Sequence, residues 1–196
     1  MTIRVLALVG LMVTASVPTR VYAQAATQEA PTRRPDVIYV PTPEEVVEAM
    51  LQVANVTKND IVYDLGCGDG RIPVTAAKKY GARGVGIDID PQRIKEAKEN
   101  AKKAGVESLV RFEENDLFKA DFHAATVVTL FLLPEVNLRL KPRLMQELKP
   151  GTRIVSNTFD MGEWKPEKEF TVGGDNDDTY LSRRLFLWTV PERQAN

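Results

Sequence analysis

An α/β fold on a mainly parallel sheet is predicted by three features of this chain. From Ile61 onward, apolar runs of strand length alternate with segments whose apolar residues recur at helical spacing. The run Val62-Tyr63-Asp64-Leu65-Gly66-Cys67-Gly68-Asp69-Gly70-Arg71 reads as a strand that ends beside an acid and passes through alternating glycines into a helix, and Asp88 closes the next strand. Near the carboxyl end the alternation stops and two strand-like segments follow one another, so the last strand is expected to run antiparallel.

Taken in order, Thr42-Pro43-Glu44-Glu45 is a helix start, with Thr42 as N-cap, Pro43 at the first helical position and acids in the first turn. Val46, Val47, Met50, Leu51 and Ala54 give that helix one apolar face. Ile61 to Leu65 is the first strand, Ile72 to Tyr80 a helix ended by Gly81, and Gly84 to Ile89 the second strand. Asp90-Pro91 opens a long helix that turns Ile94, Ala97, Ala101 and Ala104 to the sheet and stops at Gly105. Val110 to Glu113 is the third strand. Ala125 to Leu132 is continuously apolar, as a strand covered on both faces should be. Pro134 to Leu148 reads as helical, but Pro142 disfavours helix at Lys141, so a kink or two short helices are expected. Thr152 to Phe159 is the fifth strand. Lys168 to Val172 and Tyr180 to Val190 are the closing pair, joined by a tip in which Asp175 to Asp178 lack the residue order of a calcium loop.

The chain has 196 residues and a formal net charge of −1, one domain's worth, and a chain of this size buries roughly 70% of its unfolded surface without disulfides. Its single cysteine, Cys67, lies in the glycine loop, where a small side chain fits, and has no histidine near it in sequence; the single histidine, His123, reads as a surface residue. Arg4, the apolar run Val5 to Val17, Pro18 and the small-residue site Val21-Tyr22-Ala23 have the layout of a secretory signal peptide over residues 1–23. The run is short for a membrane span, so none is expected to remain after cleavage. Export to the periplasm or medium is therefore expected, the alternatives being an uncleaved membrane anchor or a cytoplasmic product started at Met12. Residues 24–36, rich in Ala, Thr, Gln and Pro, read as a disordered linker, and 37–192 as the folded domain.

The glycine spacing discriminates between ligands. A dinucleotide fingerprint places a third glycine where this chain has Arg71; the pattern here is G-x-G-x-G over Gly66, Gly68 and Gly70. Preceded by Asp64 and followed by Asp88 on a second strand, it suits a nucleoside whose ribose hydroxyls are taken by a carboxylate.

The run Asp64-Leu65-Gly66-Cys67-Gly68-Asp69-Gly70 resembles motif I of the Rossmann-like S-adenosylmethionine methyltransferases, with Cys67 where a serine is common. The resemblance extends from about Tyr39 to Val190. It implies a seven-stranded sheet in the order 3-2-1-4-5-7-6, strand 7 antiparallel, with helices on both faces. It also implies site roles. Asp64 orients the cofactor's methionine amino group, and Gly66, Gly68 and Gly70 floor the methionine and ribose. Asp88 takes the ribose hydroxyls, with Ile89 against the adenine. In Glu114-Asn115-Asp116-Leu117, Asp116 accepts from the adenine amino group, Leu117 flanks the ring, and Asn115 belongs to the same binding run. No metal is implied.

Three details narrow the resemblance: Tyr39-Val40-Pro41-Thr42-Pro43 before the first helix, Leu132-Leu133-Pro134 after the fourth strand, and Ser156-Asn157-Thr158-Phe159-Asp160 with Trp164 after the fifth. Together they look like a group related to the mitochondrial protein-lysine methyltransferases of the adenine nucleotide translocase and ATP synthase type. In that reading Tyr39 and Thr42 close over the cofactor. Phe131, Asn157, Phe159 and Trp164 shape the acceptor pocket, and Asn157 is the candidate catalytic residue, holding an amine by its carbonyl oxygen. The Asn/Asp-Pro-Pro-Tyr signature of base and glutamine methyltransferases is absent. Lys95 and Lys98 alternate with Glu96 and Glu99, so a nucleic-acid acceptor is disfavoured. The expected partner is a protein or small-molecule acceptor. The alternatives are a small-molecule O- or N-methyltransferase and a SAM-binding protein without catalysis.

Overall fold

A computed structural model describes residues 39–172 and 184–193. The expected signal, the linker, residues 37–38, the acidic tip and the start of the last strand lie outside the described residues.

Among the described residues four helices, α1 (Glu44–Val53), α2 (Arg71–Tyr80), α3 (Pro91–Ala104) and α4 (Pro134–Glu147), accompany seven strands: β1 (Ile61–Leu65), β2 (Arg83–Asp88), β3 (Val110–Glu114), β4 (Val127–Leu130), β5 (Arg153–Asn157), β6 (Lys168–Thr171) and β7 (Arg184–Thr189). The sheet runs β3-β2-β1-β4-β5-β7-β6. β1 to β5 are parallel, and β7 is antiparallel to both β5 and β6. The order and the reversed last strand are as the resemblance implied.

The side-chain alternation of the strands divides the core. Tyr63, Val128, Ile154 and Trp188 join Leu140 and Leu144 of α4 on one face. Val62, Val127, Val155 and Leu187 face α1 and α2 on the other. Ala77, Ile94, Ala97 and Phe112 pack α2 and α3 together over β2 and β3. This two-sided burial explains why the central strands read as unbroken apolar runs.

Helix ends follow the sequence with one exception. Asp90 caps α3, accepting from the Gln92 N–H at 2.8 Å, and Gly105 ends it in the left-handed region at φ 69°. At α1 the expected N-cap is displaced by one residue. Pro43 is extended at ψ 149° and its carbonyl takes the N–H groups of Val46 and Val47, so the helix begins at Glu44 with no side-chain cap. Thr42 is buried instead. In α4 the break expected at Pro142 does not divide the helix: all fourteen residues are one element. Val136, Leu140 and Leu144 keep their inward face through the proline. Leu138, whose carbonyl loses its usual donor at Pro142, is 46% exposed, where water can replace it.

At the amino ends of β1, β4 and β5, away from the strand ends that matter below, Asp60 gathers the Thr57 N–H and hydroxyl, the Thr126 hydroxyl and the Arg153 guanidinium. Burial pushes its carboxyl up, but these donors outweigh it and hold the group below its ordinary value. Among the described residues no helix is long and apolar enough to cross a membrane.

Candidate functional site

Parallel strands that diverge to either side of a central pair leave a crevice at their carboxyl ends. Here β1 is that centre, with β2 and β3 on one side and β4 on the other. One cavity collects the residues at and just past the carboxyl ends of four strands: Asp64 and Gly66 at β1, Asp88 and Ile89 at β2, Asn115, Asp116 and Leu117 at β3, and Phe131 and Leu132 at β4. Tyr39, Val40 and Thr42, before α1, form a further wall. Residues separated by most of the domain's length are thereby brought together by topology.

The two strand-end acids are held differently. Asp88 accepts from the Gly68 N–H at 2.8 Å through one oxygen and from the Asp90 N–H at 2.9 Å through the other. Each carboxylate oxygen has two lone pairs, so acceptor capacity for two ligand hydroxyls remains. Asp64 is buried, and the Thr129 hydroxyl donates to it at 2.8 Å. Burial pushes its pKa up to about 7; the Thr129 hydrogen bond opposes this, and the charges of Asp88 and Asp69 add to it.

Asp116 opens a short turn, its Oδ1 accepting from the Phe118 N–H at 2.9 Å while it also lines the cavity. The following segment is braced by α4: Arg143 donates to the carbonyls of Leu117 at 3.1 Å and Ala120 at 2.9 Å, pairs with Glu147, and lies over the Phe122 ring.

The three loop glycines stand differently toward the cavity. Gly66 lines the cavity, but Gly68 and Gly70 do not. A Cβ on Gly68 would overlap the Tyr39 ring, and one on Gly70 would come within 2.6 Å of Phe112 and 2.7 Å of Ala97. At both positions the missing side chain admits neighbouring protein groups. Cys67 is buried beside them and lines the cavity, and burial together with Asp64 and Asp88 drives its thiol well above its ordinary value, which disfavours the thiolate.

Of the four residues expected at the acceptor pocket, Phe131 alone lines this cavity. Asn157 is buried at the end of β5, and its Oδ1 accepts from the Thr158 hydroxyl at 3.2 Å. The Phe159 carbonyl accepts from the Ser156 hydroxyl at 2.6 Å. Trp164 packs on Trp188, ring centroids 6.0 Å apart, and its carbonyl accepts from the Trp188 indole. The aromatic wall foreseen after β5 therefore belongs, at Trp164, to the edge of the core. His123 is exposed beside Asp121. Among the described residues no group of three His, Cys, Asp or Glu could hold a metal ion.

Sequence reasoning did not foresee Asp69, Asp90, Arg71 and Arg93 as lining residues. The one signal was Arg71 itself, standing where a dinucleotide loop has glycine.

Five carboxylates, of Asp64, Asp69, Asp88, Asp90 and Asp116, face two guanidiniums, those of Arg71 and Arg93, in this cavity. Both arginines have acidic partners, Asp69 and Glu96 respectively. The excess is negative, and Ile89, Leu117, Phe131 and Leu132 add apolar surface. Such a lining fits a ligand with cationic groups and a flat apolar ring, as S-adenosylmethionine has.

Comparison with known proteins agrees with this chemistry. The family model of the ANTKMT methyltransferase domain matches residues 64–168. A protein-lysine N-methyltransferase of Saccharolobus islandicus is 46% identical over 161 residues, 82% of this chain and 98% of that protein. The adenine nucleotide translocase lysine N-methyltransferase of Mus musculus is 35% identical over 143 residues, 72% of this chain and 62% of its own length. Among solved structures, an RNA methyltransferase from Salinibacter ruber in complex with S-adenosyl-L-homocysteine is 52% identical, with a TM-score of 0.72 over 80% of this chain and 97% of that one. The chain belongs to the ANTKMT methyltransferase family, and it is an enzyme that takes its methyl group from S-adenosylmethionine.

Proposed function

We propose that the enzyme methylates the side-chain amine of a lysine in a protein. The observation that carries this reading is the 46% identity to a protein-lysine N-methyltransferase that the match spans almost end to end.

When bound, S-adenosylmethionine supplies a methyl group on a sulfonium centre and leaves as a neutral thioether. In our reading Asp88 accepts the ribose hydroxyls, and Asp64 meets the methionine ammonium. Ile89 and Leu117 cover the adenine, and Asp116 accepts from its amino group. These residues fix the cofactor so that positioning supplies much of the rate. Phe131 and Leu132 add apolar lining to the same cavity. A lysine entering there is desolvated, which lowers its pKa and favours the neutral amine that attacks. Asn157, buried and outside the cavity lining, fits a role in holding the turn after β5 better than direct contact with the amine.

A second reading has one specific support: the 52% identical structure bears the name RNA methyltransferase. Against it stand the net charge of −1 and the alternation of Lys95 and Lys98 with Glu96 and Glu99 on α3, where a phosphate track would need uncompensated cations. The two are separated by incubating the purified chain with methyl-labelled cofactor and a cell extract. Label removed by protease and resistant to ribonuclease supports lysine methylation; the converse supports RNA.

A further inference from the structure

Residues 39–42 belong to no helix or strand, yet they form a wall of the cavity. What secures them is Arg71. Its Nη1 donates to the Thr42 carbonyl at 2.7 Å and its Nη2 to the Tyr39 hydroxyl at 3.3 Å. The same guanidinium grips Asp69 through Nε at 2.9 Å and Nη2 at 2.7 Å. Asp69 is itself anchored, its carbonyl accepting from the Asn100 side chain of α3 at 3.0 Å. The Tyr39 ring is held from two sides, with the Arg93 guanidinium 4.8 Å from its centroid and the bare backbone of Gly68 against its edge. A side chain on Gly68 would expel it.

We propose that Arg71 is a positioning residue that latches the Tyr39–Thr42 segment to the glycine loop, so that cofactor or product leaves only after this latch opens. The inference rests on the reading of this cavity as the cofactor site. One planar guanidinium serves three groups at once, the Asp69 carboxylate, the Thr42 carbonyl and the Tyr39 hydroxyl, and a lysine ammonium cannot reproduce that fork. Among the described residues the segment pairs with no strand, so opening it breaks these contacts together with those of Tyr39 to Asp69 and Arg93. Arg71 thus sets how long the adenosyl product stays, while Asp64 and Asp88 set how it is recognised.

The test is stopped-flow release of S-adenosylhomocysteine from the full chain, with thermal melting in parallel. Arg71→Gln and Tyr39→Ala should each speed release, Arg71→Gln by about tenfold or more, and Arg71→Lys should not restore the wild-type rate. In the double variant the two effects should fall short of multiplying, because both substitutions act on one latch. Release at the wild-type rate in Arg71→Gln, or multiplicative effects in the double variant, overturns the latch. If Arg71→Gln does not fold, Tyr39→Ala decides: that residue is 38% exposed, and unchanged release overturns the proposal. A wild-type chain that takes up no S-adenosylhomocysteine overturns the cofactor reading itself and the latch with it.

Discussion

The hydroxyl of Thr129 donates to the carboxylate of Asp64, its direct neighbour on the adjacent parallel strand, at 2.8 Å. It stabilises the ionised form of an acid that burial raises, leaving the group at about 7. An acid poised there titrates within the physiological range, and the cofactor's ammonium favours its charged form. Cofactor affinity should therefore rise with pH to a plateau above about 7, weakening below it by up to about tenfold per unit. Thr129→Val should move the knee of that curve upward. Calorimetric titration across this range checks both, and a flat profile in the wild type would remove Asp64 from the ammonium.

The same group has a stability consequence of opposite sign. Its folded-state value lies above the ordinary 3.8, so the stability it contributes is complete below that value and is lost as pH rises through about 7. At pH 8 the cofactor-free protein carries a buried charge with one neutral hydroxyl donating to it. Asp64→Asn should then raise the melting temperature at pH 8, by roughly 2 kcal/mol of stability, while weakening cofactor binding. Thermal melts with and without cofactor read the two effects separately.

Asp88 combines a ligand role with a loop role. Asp88→Ala removes the acceptor of the Gly68 and Asp90 N–H groups as well as that proposed for the ribose. It should weaken cofactor binding by about 2–4 kcal/mol, roughly 30- to 1000-fold. Unchanged affinity by calorimetry would contradict the ribose assignment.

The loop glycines should separate by phenotype. Gly70 sits at φ 75° with Phe112 and Ala97 where a Cβ would go, so Gly70→Ala should cost about 1–3 kcal/mol of stability. Gly68→Ala pushes on the partly exposed Tyr39 ring instead, and should raise KM for the cofactor more than it lowers the melting temperature. Equal stability losses with equal KM values would show that the two positions do the same work.

How much of this was legible in the sequence depends on the range of the contact. Asp64 and Asp88 end apolar strands, and local pattern with the glycine spacing sufficed to bring both to one crevice. The strand order came from the resemblance, which the sheet matches. Arg71 and Arg93 escaped notice because their partner Tyr39 lies 32 residues from Arg71 and on a segment without periodicity. The packing of Trp164 was hidden for a similar reason. An aromatic after a strand end reads as a pocket wall until its partner, Trp188, 24 residues on, is seen beneath it. At Pro142 and Thr42 local propensity pointed one way, while packing of α4 and the claim of Arg71 on the Thr42 carbonyl decided the other.

The identity of the methylated atom tests the account most directly. Product labelled by the wild-type enzyme from methyl-labelled cofactor and cell extract is hydrolysed to its monomers, and the labelled species is identified by mass spectrometry. The account predicts methylated lysine, with labelling strongly reduced in Asp88→Ala. Label recovered in a methylated nucleoside, or as a methyl ester or ether of a small molecule, would contradict it.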